Sequence, residues 1–116
     1  MNDPIEIFFA AWSVEDATKR QEMITEAVAQ NAIYADPRTP APLTGPAALA
    51  EYVGMFATSA PGAIAEVSNV DTRDGVSRAT IAFKMANGME QAGQYFVEHN
   101  ADGVISRMVG FVGTGA

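Results

Sequence analysis

Residues 76–113 read VSRATIAFKMANGMEQAGQYFVEHNADGVISRMVGFVG, and this stretch decides the fold. Its apolar residues recur with a period of two. Ala79, Ile81, Phe83 and Met85 fall on one side of a strand, and Arg78, Thr80 and Lys84 on the other. Asn87-Gly88 and Asp102-Gly103 interrupt the alternation. Both dipeptides suit two-residue hairpin turns, in which the central residues take positive φ. Carried upstream, the pattern predicts strands over 63–71, 76–86, 89–99 and 104–113, with Arg73-Asp74-Gly75 as the first connection. Four strands joined by short turns make an antiparallel meander.

Ahead of residue 60 the period is helical. Asp3-Pro4 reads as an N-cap followed by proline at the first helical position, with Glu6 at the capping-box place. Ile5, Phe8, Phe9 and Trp12 then form one apolar stripe. Ser13 and Asp16 predict a cap for a second helix through about residue 30, with Ala17, Ile24, Ala27 and Val28 inward. Lys19, Arg20, Glu22 and Glu26 make its solvated side. Ala32-Ile33-Tyr34-Ala35 is a short strand ended by Asp36-Pro37. Thr44-Gly45-Pro46 opens a third helix with Leu49, Tyr52, Val53 and Phe56 as its stripe, and Pro61-Gly62 stops it. Helices in one half and strands in the other indicate an α+β fold.

Composition sets the outer bounds. The 116 residues fit a single domain, 1–116, large enough for one hydrophobic core. Fourteen acidic against seven basic residues leave a net charge of −7, which argues against a nucleic-acid partner. There is no cysteine, hence no disulfide, catalytic thiol or thiolate metal site, and His99 is the only histidine. No metal site and no cofactor is expected: phosphate-cradling glycine loops and the G-x-S-x-G elbow are absent from the sequence. No apolar run approaches ~18 residues, so no membrane span is expected, and the chain reads as a cytoplasmic domain.

Several of these segments together resemble a known family. They are Trp12 with Asp16 and Arg20, Tyr34-Ala35-Asp36-Pro37, Leu43-Thr44-Gly45-Pro46, Ala101-Asp102-Gly103-Val104-Ile105 and Gly110-Phe111. The chain resembles the SnoaL-like polyketide cyclases and ketosteroid isomerases of the nuclear-transport-factor-2-like superfamily. The resemblance implies a cone: three N-terminal helices packed on a curved mixed or antiparallel sheet that encloses an apolar pocket. That superfold hosts isomerases, cyclases, hydrolases and proteins without activity, so it carries fold more than function. It implies as partner a small apolar or aromatic molecule; separately, an open meander with apolar outer positions needs covering, so a homodimer through the outer sheet face is expected.

The candidate lining residues are Phe8, Trp12, Tyr34, Tyr52, Phe56, Phe83, Tyr95, Met108 and Phe111, each of which serves equally as core packing. Asp36 is the sharpest candidate for chemistry. Pro37 holds it extended, and Tyr34, two residues earlier, shares its face. In the isomerase branch the aspartate of this Asp-Pro pair is the general base, and an apolar pocket strengthens a carboxylate in that role. The ketosteroid isomerases are a worked case of that chemistry, so the role is borrowed from the resemblance. The alternative is that Asp-Pro is a turn where the strand ends. The sequence departs from the isomerases at the tyrosine that donates to the oxyanion, whose place Phe8 takes. The second donor falls near Gln94 or Tyr95, and Tyr95 offers one hydroxyl. His99 shares the Tyr95 face by alternation and is placed at the rim as an assisting group, or at the surface. Arg78 and Arg107 are expected to pair with Glu66, Glu90 or Glu98 across strands. Two readings of function follow: a cofactor-independent acid/base enzyme of isomerase or cyclase type with Asp36 as base and Tyr95 or His99 assisting, or a non-catalytic binding or assembly module.

Overall fold

The structure, a computed structural model, describes residues 3–113. Three helices, α1 (Pro4–Ala10), α2 (Ala17–Ala27) and α3 (Pro46–Ser59), cover one face of a six-stranded curved mixed sheet. The strands are β1 (Val28–Ala35), β2 (Leu43–Thr44), β3 (Ile64–Arg73), β4 (Val76–Lys84), β5 (Glu90–His99) and β6 (Ile105–Val112). Their spatial order is β2-β1-β6-β5-β4-β3. All neighbours are antiparallel except β1 and β6, so the expected meander β3–β6 is extended by a parallel strand from the helical half.

α1 starts as the sequence predicts: Asp3 Oδ1 accepts from the Ile5 amide at 2.9 Å, and Pro4 is the first helical residue. Ile5, Phe8 and Phe9 are buried, and a turn of 3₁₀ helix, Ala11–Ser13, carries the stripe on to Trp12. The cap of α2 is Asp16, which accepts from the Thr18 and Lys19 amides; Ser13 instead donates its hydroxyl to the Ala10 carbonyl. Arg20 is not on the solvated side. It is buried, its Nε and Nη2 donating to the Val14 carbonyl at 3.1 and 2.7 Å and Nη2 also to Glu15 O at 3.2 Å. A Cβ at Gly54 on α3 would stand 2.9 Å from Arg20 Nη1, so that glycine is what lets the two helices close over the guanidinium.

α2 ends at Ala27, three residues short of expectation, and β1 starts at once with Val28. The cause is non-local: Val28 pairs with Ile105 and Ile33–Ala35 with Arg107–Val109, and this pairing wins over local helical preference. β2, two residues long, pairs with β1 in what the sequence presents as a loop. The hairpins also differ from expectation. Asp74 (φ 54°) and Gly75 (φ 78°) form the two-residue turn with both φ positive. At Asn87-Gly88 and Asp102-Gly103 only the glycine is left-handed. The Met85 amide donates to Met89 O and the Asn100 amide to Val104 O, so these loops enclose three residues, ending in a left-handed glycine. Asn87 and Asn100 accept from amides within their own loops, which favours the longer form.

An irregularity in β3 between Val67 and Asn69 keeps Val67 and Val70 on the inner face while the strand bends. The core beneath the helices gathers Phe8, Phe9, Trp12, Ile24, Leu49, Val53, Ile81, Tyr95, Val97, Ile105 and Met108. On the outer face Arg107 pairs with Glu98, as expected, but Arg78 pairs with Asp71, its direct cross-strand neighbour, and Lys84 with Glu66. Among the described residues no helix is long and apolar enough to cross a membrane.

Candidate functional site

Between α3 and the inner faces of β4, β5 and β6 the helices and sheet part, leaving a cavity of about 430 Å³. Apolar and aromatic side chains dominate its walls: Trp12 from the 3₁₀ turn, Tyr52, Met55 and Phe56 from α3, Phe83 from β4, and Tyr95 from β5. The rings pack on one another. Trp12 lies 5.0 Å from Phe56 and 5.5 Å from Phe83, centroid to centroid, and Tyr52 stands edge-on to it at 6.2 Å. Glycines make the room. A Cβ at Gly110 would meet Tyr95 Cζ at 2.8 Å, and one at Gly93 would touch the rings of Phe83 and Tyr95.

Asp36 forms part of the wall where β1 ends. Its carboxylate collects four donors. Tyr34 and Tyr52 hydroxyls each donate to Oδ2 at 2.6 Å, and the Arg38 and Thr39 amides donate to Oδ1 at 2.8 and 3.1 Å. The first pair follows from strand geometry for Tyr34 and from the inward stripe of α3 for Tyr52. The second pair is a turn closed by the aspartate itself, with Thr39 Oγ1 bonding back to the Asp36 amide and carbonyl. Asp36 is thus a turn residue, the second of the two alternatives, and it also borders the cavity. A carboxylate has about four acceptor positions, so these four donors occupy it.

The tyrosine protons are unequally committed. Tyr34 and Tyr52 spend theirs on Asp36. Tyr95 Oη lies 3.4 Å from Tyr34 Oη and has no shorter side-chain partner among the described residues. Its proton therefore remains for Tyr34 oxygen or for something in the cavity. Burial is the main reason all three phenols resist ionisation. It pushes Tyr95 up to about 12, with the Asp36 charge adding to the rise. Tyr34 and Tyr52 are raised as well, by burial first and then by neighbouring groups that include Asp36.

The remaining residues singled out in the sequence lie elsewhere. Tyr34 is fully buried behind Asp36 and reaches the site only through its hydroxyl. Phe8 and Met108 are core residues off the cavity: Phe8 packs 5.9 Å from Tyr34, and Met108 pairs with Tyr34 and Val97. Phe111 borders the mouth, but its ring stands 5.7 Å from Phe96, edge-on, on the outer face. His99 does not join the others. It ends β5, roughly 13 Å beyond Tyr95 at strand rise, with its amide on the Gly75 carbonyl at the opposite end of the sheet. Arg38 and Gly93 are cavity residues that the sequence reading passed over. The signal for Arg38 was its place inside the Asp36 turn, and for Gly93 a glycine within a strand.

No protein-family model matches the chain, and no curated protein matches it. Solved structures do. A candidate isomerase of the SnoaL-like family from Agrobacterium tumefaciens superposes with a TM-score of 0.86 at 24% identity, over 96% of this chain and 95% of that one. A candidate polyketide cyclase from Sinorhizobium meliloti gives 0.74 at 18% identity, over 95% and 94%. A candidate ketosteroid isomerase from Kribbella flavida gives 0.71 at 18%, over 97% and 77%. The chain has the α+β cone fold of the SnoaL-like and nuclear-transport-factor-2-like proteins.

Proposed function

We propose that this protein binds a small, largely apolar molecule that carries a hydrogen-bond-accepting oxygen. The observation that carries the reading is the Tyr95 hydroxyl, a donor without a close acceptor in the wall of an otherwise aromatic cavity. Pockets for small ligands have this character: apolar walls and few, placed polar groups. Asp36 supports it by holding Tyr34 and Tyr52, so that the wall around Tyr95 is fixed before a ligand arrives.

Two probes of one shape test this, 2-acetonaphthone and 2-ethylnaphthalene, followed by quenching of Trp12, the chain's only tryptophan. Both should quench saturably. Tyr95→Phe should weaken the ketone roughly tenfold, the scale of one lost hydrogen bond, and leave the hydrocarbon within twofold. Equal effects on both probes would remove Tyr95 as the donor, and a linear response to both would remove the cavity reading.

A second reading is acid/base catalysis, favoured by one observation: Asp36 and Tyr95 border the same cavity. A ketone held by Tyr95 would give an α-proton to Asp36 once one tyrosine donor moved aside, with Tyr95 stabilising the enolate oxygen. Deuterium uptake into the 2-acetonaphthone methyl group, followed by NMR, should then be accelerated by the protein and abolished in Asp36→Asn. Binding with no accelerated uptake favours the non-catalytic module.

The reading extends to assembly. Phe96, Phe111 and Ile33 are exposed on the outer sheet face, and a second copy covering them would make an isologous dimer.

A further inference from the structure

Among the described residues, two that border the cavity carry charge, Asp36 and Arg38. Their charges are differently committed. The carboxylate of Asp36 is covered by four donors. Arg38 makes no salt bridge among the described residues, whereas Arg78, Lys84 and Arg107 each pair across strands. Arg20 spends its guanidinium on backbone carbonyls. Arg38 is therefore an uncommitted cation at the mouth of an apolar cavity, in a protein of net charge −7.

The backbone beneath it is held in place. The turn that carries it is fixed from within: the Arg38 amide donates to Asp36 Oδ1, Thr39 closes on the Asp36 backbone, and Pro37 restricts the residue between. The guanidinium lies close enough for its charge to oppose the upward shifts of both Tyr52 and Tyr95. A planar guanidinium presents paired donors that match a carboxylate in bidentate fashion.

We propose that the ligand is an amphipathic anion, its apolar body against Trp12, Phe56 and Phe83 and its carboxylate on Arg38 at the mouth. This rests on the reading of the cavity as a ligand site and narrows the chemical class that enters it. The alternative of a cationic guest among the aromatic rings fits less well. The acceptor positions of Asp36 are occupied, and Arg38 would repel such a guest at the entrance.

Calorimetric titration of the wild type and of Arg38→Gln with 2-naphthoate and 2-acetonaphthone tests the proposal. The two probes share a ring system and differ in charge, and Arg38 is exposed, so the substitution should leave the fold intact by circular dichroism. The wild type should bind naphthoate roughly tenfold tighter than the ketone, an advantage that falls on adding salt. In Arg38→Gln the ratio should collapse to about one. A ketone that binds as well as naphthoate in the wild type, or a ratio that survives the substitution, overturns this inference while leaving the cavity reading standing. Tighter binding of phenyltrimethylammonium than of naphthoate also overturns it, in favour of a cationic guest. If neither naphthalene binds, both the inference and the cavity reading fall.

Discussion

The two faces of the sheet at β5 and β6 are built from the same alternation and do opposite things. Inward, Tyr95, Val97 and Met108 are all but sealed from solvent, and Gly93 and Gly110 leave room for the Tyr95 ring. Outward, Phe96 is 42% exposed and Phe111 54%, their rings edge-on 5.7 Å apart, between the Arg107–Glu98 and Arg78–Asp71 pairs. Inside, aromatic area is organised around a void and a few hydroxyls. Outside, similar area is left uncovered and rimmed by charge. One strand pair thus presents a hollowed inner surface and a flatter, uncovered outer one.

The inner face should be the less forgiving. Gly110→Ala places a methyl group against the Tyr95 ring, and the ring has Phe9 at 5.0 Å on one side and Tyr34 at 6.2 Å on another. We expect a loss of about 1–3 kcal/mol in urea unfolding, the range for overpacking, together with loss of 2-acetonaphthone binding. A variant as stable as wild type that still binds the ketone would show that the ring has somewhere to go, and the close approach would lose its meaning.

Alkaline titration sharpens the same contrast. The folded-state pKa of Tyr95 is about 12, raised chiefly by burial, and Tyr34 and Tyr52 are raised too. An unfolded tyrosine ionises near ~10, so above that value the unfolded chain holds fewer protons than the folded one. Stability is therefore complete below about pH 10 and falls as pH climbs towards the folded values, by at most ~1.4 kcal/mol per pH unit for each fully buried tyrosine. Unfolding free energies at pH 9, 10 and 11 should show this fall, and Tyr95→Phe should make it shallower. A flat profile would mean that the three hydroxyls are wetter than their burial implies.

How much of this was legible in the sequence depends on range. Strands β3 to β6 follow from period two and from glycines that must take positive φ, both local signals. The Tyr34–Asp36 pairing follows from a spacing of two along one strand. Tyr52 reaches the same carboxylate from a helix 16 residues on, which only the folded chain brings about. The full length of β1, and the burial of Arg20 beneath Gly54, likewise depend on partners far along the chain. His99 shows the limit of alternation, which gives a residue's face but not how far along the strand the helices part from the sheet. For Phe8 and Met108 the same gap applies: an inward ring or thioether serves core and cavity equally, and curvature decides which.

The outer face carries the smallest effect on the folded monomer and the sharpest test of the contrast. Phe96 is 42% exposed on the outer face and stands edge-on to Phe111, so Phe96→Asp removes that aromatic edge contact without touching the inner face. Exposed substitutions of this kind usually stay within about 0.5 kcal/mol, and cavity binding should not change, because the side chain points away from Tyr95. Association is where the variant should differ. A charge at the centre of a self-complementary patch meets its own copy across the two-fold axis, and the like charges repel. Sedimentation should find the wild type as a dimer at micromolar concentration and Phe96→Asp as a monomer that still binds 2-acetonaphthone. A wild type that sediments as a monomer would mean that the exposed rings have no second copy to meet, and the functional weight of the sheet would rest on its inner face alone.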